Sequence, residues 1–195
     1  MALTTIKSTS KVSQAVGWVP LQSTTATNDA TVNMETGIDG TYDLYMISIT
    51  KLKLQTDAEN LTSRLKIGGS YLSANNYQFH NRADVASSDT PSAAVATGGA
   101  AITLFNCGAT VASEFQYANV FFCTPAATDN IKGMWWEGWG SNTSTVSYYT
   151  SGAGSYDENT TTALTGVQFL TSSGNIASGV FALYGLQKVG YDTAM

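Results

Sequence analysis

The sequence predicts an all-β fold: an antiparallel β-sandwich of jelly-roll type, preceded by an extended N-terminal arm. Three observations predict it. Short aromatic and β-branched runs recur along the chain, separated by clusters of Gly, Ser, Asn and Asp. No eleven-residue window carries a 3.6-residue apolar period with helix caps. Charged residues make up only 12% of the chain, whereas 43% are hydrophobic and 11% aromatic, which suits a packed core and excludes a disordered chain. With 195 residues the length fits one domain with arms.

Residues 1–40 form the expected arm, and residues 41–195 the expected sandwich. Up to Asn28 the arm carries Lys7 and Lys11 and no acid, is rich in Ser and Thr, and holds separated apolar anchors such as Val16 and Trp18. Such a segment orders by lying across another surface, so Lys7, Lys11 and Trp18 are candidate docking residues. The alternative is that it folds back as an edge strand of its own domain, with Trp18 buried. The core opens with Tyr42 to Leu54, whose apolar positions switch face midway, which predicts a bulge or a bend. Leu61, Ser63, Leu65 and Ile67 alternate with polar residues and end at Gly68-Gly69, giving a half-buried strand. Tyr77 and Phe79 alternate with Gln78 and His80. Ala83 to Ala101 is dominated by Ala, Ser, Thr and Gly and predicts a long surface loop.

Ile102 and Leu104 mark a short strand, and Phe115, Tyr117, Phe121 and Cys123 share one face of a longer one. Strands follow over Ile131 to Trp136, Val146 to Tyr149 and Leu164 to Leu170. Thr171-Ser172-Ser173-Gly174-Asn175 has the length and chemistry of a hairpin turn leading into Ile176 to Leu186. Eight or nine strands at this spacing fit a jelly roll.

The closing stretch, Ser172 to Leu186, has a Gly174-Asn175 turn, a small-residue strand and Leu183-Tyr184-Gly185. It resembles the closing hairpin of jelly-roll domains in tailed-bacteriophage virion structural proteins. The likeness extends loosely back to Tyr42-Asp43-Leu44-Tyr45. It implies a location on a virion, made in the host cytoplasm, in a capsid decoration or a tail fibre, without choosing between them. In packing terms Gly179 and Gly185 permit close backbone approach, and Tyr184 is expected to fill a core position.

Chemistry is sparse. A net charge of −5 argues against nucleic-acid binding, which needs a basic face, and no apolar run is long enough for a membrane helix. Met1 to Lys7 lacks the apolar stretch of a secretory signal. One His and two Cys cannot build a His-rich or four-cysteine zinc site, and Cys107 and Cys123 read as buried free thiols. No cofactor or metal is expected. The acidic turns Asp57-Ala58-Glu59-Asn60 and Asp157-Glu158-Asn159 lack the spaced oxygen ligands of a calcium loop and read as solvated turns. His80 beside Asn81 and Asp84 lacks a nucleophile elbow and reads as structural, so no catalytic residue is assigned.

The richest feature is Gly133-Met134-Trp135-Trp136-Glu137-Gly138-Trp139-Gly140, with Tyr148 and Tyr149 after it. In a strand Trp135 and Trp136 point to opposite faces. The outward ring, with Trp139, Tyr148 and Tyr149, either packs against a neighbouring subunit, contacts a glycan with help from Glu137, or packs under a loop. Three function classes follow, one of them a secreted or virion-borne glycan hydrolase with only scattered carboxylates behind it. The first is a non-enzymatic virion structural protein, a homotrimer held by its arm and its aromatic residues to other virion proteins. The alternative is a receptor- or carbohydrate-binding module of a tail fibre that meets host surface glycan.

Overall fold

A computed structural model describes residues 17–87, 91–107, 114–141, 146–156 and 162–187. Among them are thirteen strands and no helix. In chain order these are β1 (Trp18–Asp29), β2 (Thr31–Met34), β3 (Leu44–Leu54), β4 (Glu59–Ile67), β5 (Ser70–Tyr71), β6 (Tyr77–Val85) and β7 (Ser92–Gly99). They continue with β8 (Ile102–Cys107), β9 (Gln116–Cys123), β10 (Gly133–Ser141), β11 (Ser147–Tyr156), β12 (Leu164–Thr171) and β13 (Ile176–Leu186). One sheet runs β1-β13-β3-β9-β10-β11-β6-β7, the other β2-β12-β4-β5, with β8 also paired to β4. Every pairing is antiparallel, and the two sheets pack face to face as a β-sandwich.

The pleat sorts the residues. Along β3, Tyr45, Ile47 and Ile49 are buried, then Leu52 and Leu54, so the apolar face shifts by one residue at Lys51, which has φ 51°. The ladder to β9 skips between Ile49 and Leu52, confirming the bulge. Phe181 and Leu183 of β13 point inward, as do Val167 and Phe169 of β12. Phe169 and Phe181 lie in opposite sheets with ring centroids 5.1 Å apart, so this pair spans the core. Tyr45 stacks on Phe122 at 5.2 Å with its hydroxyl donating to the Asp39 carbonyl at 2.9 Å, so both ends of this buried ring are satisfied. Tyr77 is buried likewise: its hydroxyl accepts from Leu65 N–H and donates to the Leu72 carbonyl, and burial pushes its pKa up to about 12.

Four expectations are corrected. First, the boundary at residue 40 is not where the sandwich begins. β1 pairs along its length with β13, and β2 with β12, so residues 18–34 are sheet rather than free arm. Lys7 and Lys11 lie outside the described residues. Second, Thr171 to Asn175 is a turn, with Gly174 at φ 73° and the Thr171 hydroxyl donating to Ser173 and Gly174 carbonyls, but it does not close a hairpin. β12 and β13 belong to different sheets, so the turn is an arch between layers. It is laced to two other arches: Gln55 N–H donates to the Asn175 carbonyl at 2.8 Å, and the Asn175 amide donates to the Asn28 carbonyl at 3.0 Å. Third, Ala83 to Ala101 contains the end of β6 and all of β7, because small residues suit an edge strand that packs against little. Fourth, Tyr184 is on the outward face and Leu183 fills the core, because β13 changes parity between Ile176 and Gly179, where its ladder to β3 carries an extra residue at Ala177. Gly185 does admit a close approach, since a Cβ there would lie 2.3 Å from the Tyr42 ring.

At the edge of the smaller sheet the Glu35 carboxylate accepts from the Tyr71 hydroxyl at 2.6 Å and Lys66 Nζ at 3.1 Å. The Tyr71 bond first, then Lys66, holds its pKa below the ordinary value. A lowered folded-state pKa means stability that is present above the unfolded value of 4.5 and lost as pH falls through the folded one. Urea midpoints should therefore fall as pH drops below about 4.5, and Glu35→Gln should flatten part of that fall. Truncating the pair that spans the core, Phe181→Ala, should cost about 3–5 kcal/mol in urea unfolding, whereas Val95→Ala on the exposed edge should cost under about 0.5 kcal/mol.

Candidate functional site: an aromatic outer face

The outward face of an antiparallel sandwich sheet is ordinarily polar. Here β9, β10 and β11 alternate in a way that reverses this locally. Along β10, Met134, Trp136, Gly138 and Gly140 face inward, while Trp135, Glu137 and Trp139 face out. The inward glycines have a reason. A Cβ on Gly152, opposite Trp136, would lie 2.3 Å from the Trp136 ring, so β11 leaves space for the indole. A Cβ on Gly140 would collide with the Gln116 amide. That amide is buried, donates to the Ser141 carbonyl at 2.6 Å and accepts from the Tyr148 hydroxyl at 2.8 Å. Burial raises the pKa of Tyr148 well above the usual phenol value, so it stays a donor.

The face thus divides the five aromatic candidates. Trp136 and Tyr148 are core residues at 1% and 6% exposure and cannot meet a partner. Trp135, Trp139 and Tyr149 are exposed at 41%, 53% and 44%. The opposition of Trp135 and Trp136 follows from the pleat alone. Tyr148 could not be placed from sequence, because its partner Gln116 is thirty-two residues away.

Strand register assembles the exposed rings into rows. One row crosses the whole sheet: Pro20, Tyr184, Met46, Phe121, Trp135, Ala153, His80 and Val95 are successive neighbours on eight strands. Phe121 and Trp135 stack at 5.4 Å with 15° between planes, and Trp18 lies 6.4 Å from Phe121. Trp18 is therefore neither buried nor a remote anchor; it sits on β1 opposite Leu186 and extends the apolar patch. A second row joins Tyr117, Trp139 and Tyr149 on β9, β10 and β11, with Tyr117 and Trp139 at 5.9 Å. Between them runs a polar row in which Ser48, Asn119 and Glu137 are neighbours on β3, β9 and β10. The Tyr149 hydroxyl reaches the Glu137 carboxylate at 3.5 Å.

The remaining candidates do not converge. His80 faces out between Ala153 and Val95, while Asp84 is paired with Arg82 at 2.9 Å, so no triad forms. Glu59 accepts from the Ser172 hydroxyl, which ties the acidic turn to the β12–β13 arch; Asp157 to Asn159 lie outside the described residues. Among the described residues no group of three His, Cys, Asp or Glu is placed to hold a metal. Both cysteines are free thiols. Cys107 is buried and its pKa is pushed up by that burial, but Cys123 is exposed, correcting the expectation, because it continues the outward parity of Tyr117 and Phe121. The chain matches no protein-family model, and a search of curated proteins returns no match.

The two adjacent tryptophans should separate in a stability measurement. Trp136→Ala should cost about 3–5 kcal/mol by urea unfolding. Trp135→Ala should change it by under about 1 kcal/mol and leave the far-ultraviolet dichroism unaltered.

Proposed function

We propose that this chain is a non-enzymatic bacteriophage virion structural protein, a jelly-roll body that self-associates, as a homotrimer, through the apolar end of its long sheet. The observation that carries the reading is the patch formed by Trp18, Leu186, Tyr184, Met46, Phe121 and Trp135. It stands on a face that a solitary sandwich would cover with polar side chains. Exposed aromatic residues clustered in this way are the usual anchors of subunit contacts.

Two further features support it. The strand order β1-β13-β3-β9 opposite β2-β12-β4-β8 interleaves the chain ends in both layers, as a jelly roll does, with β6-β7 and β10-β11 as additions to one sheet. The closing stretch Ser172 to Leu186 resembles that of virion jelly rolls, and a capsid decoration or a tail-fibre component suits such a body. Fold alone fixes no function, so assembly is the property to measure.

Sedimentation equilibrium at about 100 μM should give three times the 20.6 kDa chain mass. The double variant Phe121→Glu/Trp135→Glu should sediment as a folded monomer, since like charges placed in the contact oppose docking. A wild-type chain that stays monomeric at that concentration overturns the assembly reading. Mass spectrometry of particles purified from the producing cells should find the chain, and its absence there overturns the virion assignment.

A further inference from the structure

The outward face holds a second feature that assembly does not use. Ser48, Asn119 and Glu137 lie side by side on three strands, with Tyr117, Trp139 and Tyr149 two residues along on one side and Phe121 and Trp135 two residues along on the other. Four residues of strand separate Trp135 from Trp139, so the aromatic rows stand about 13 Å apart with the polar row midway. A groove of about 450 Å³ lies between Ser48, Thr50, Asn119 and Glu137 on the polar side and Tyr117 and Trp139 on the aromatic side. That volume falls among those of small-ligand sites.

The side chains in the groove are uncommitted. Among the described residues those of Ser48, Thr50 and Asn119 hydrogen-bond to no other protein group, and Glu137 meets the Tyr149 hydroxyl at the limit of bonding distance. The arrangement narrows what fits. An anionic ligand would meet the Glu137 carboxylate with no cation among the described residues that line the groove, on a chain of net charge −5. A purely apolar ligand, or an apolar face of a protein, would strip water from Asn119, Ser48 and Glu137 and return no hydrogen bond. A pyranose ring has the complementary make-up: one face of C–H groups to lie on an indole, and an edge of hydroxyls that both donate and accept. We propose that this groove binds an uncharged glycan, with a pyranose ring stacked on Trp139 and hydroxyls hydrogen-bonded to Glu137 and Asn119. Glu137 accepts from two adjacent hydroxyls, and the Asn119 amide supplies a donor and an acceptor beside it.

The inference does not rest on the assembly reading. The groove lies at the Trp139 end, and the proposed subunit contact at the Trp18–Phe121–Trp135 end of the same face. The full-length protein is titrated with uncharged hexasaccharides of glucose in α-1,4 and β-1,4 linkage, of galactose and of N-acetylglucosamine, and is applied to a glycan array. Tryptophan fluorescence and calorimetry report binding. At least one uncharged glycan should bind with a Kd below about 1 mM. Trp139→Ala should raise that Kd at least tenfold, and Glu137→Gln or Asn119→Ala by about three- to tenfold. Trp18→Ser, outside the groove, should leave it unchanged. The Phe121→Glu/Trp135→Glu variant should still bind, which separates failure of the glycan site from failure of assembly. The proposal is overturned if no uncharged glycan binds by about 10 mM, if Trp139→Ala binds like wild type, or if only anionic glycans bind.

Discussion

The period-two pleat of the eight-stranded sheet is the constraint on which the rest of the molecule depends. Each strand has two faces, and the sandwich can bury only one. Tyr45, Ile47 and Ile49 on β3, Val120 and Phe122 on β9, and Phe181 and Leu183 on β13 take the inward positions. Their sequence neighbours are thereby committed to the outside. Apolar groups at Leu44, Met46, Phe121 and Trp135 therefore cannot be rescued into the core by a slip of register, because a one-residue slip would expel the whole inward set. The chain tolerates them outside, where they concentrate at one end of one face.

Glycine makes the arrangement possible on the other side of the sheet. The inward face of β10 and β11 must hold one very large ring, Trp136, and one buried amide, Gln116, where β8 crosses beneath. Gly152 and Gly140 yield the space, and the Gln116 amide, once inside, is satisfied by Ser141 and Tyr148. The Gly-rich, Trp-rich run is thus two interleaved codes. Even-numbered positions from Met134 to Gly140 solve a packing problem, and odd-numbered ones from Trp135 to Trp139 furnish a surface.

What could be read from sequence was whatever depends on near neighbours. The β class, the bulge at Lys51, the strand over Leu61 to Ile67 and the opposition of Trp135 to Trp136 each follow from local alternation. What could not be read depends on who lies alongside. The turn at Thr171 to Asn175 has hairpin residues, but whether the next strand pairs back or crosses to the other layer is set by β2, β4, β1 and β3, more than a hundred residues earlier. The same holds for the site. Ser48, Asn119 and Glu137 carry no motif, and only the registers of β3, β9 and β10 make them neighbours. The aromatic members were visible as residues. Their grouping into rows is not, since local alternation puts Tyr117 and Phe121 on a shared face but names no strand beside them.

The position of β13 between β1 and β3 also sets a clock. On a ribosome the N-terminal strands emerge first, but until β13 is available β1 has no ladder in its sheet and β3 pairs only with β9. The smaller sheet waits in the same way, since β12 separates β2 from β4. A nascent chain cut between residues 67 and 164 keeps two apolar half-sheets with open edges, Ile47 and Ile49 on one and Leu61 and Leu65 on the other. The sandwich therefore closes only once β13 has been made. Premature termination leaves a sticky fragment, not a smaller working protein.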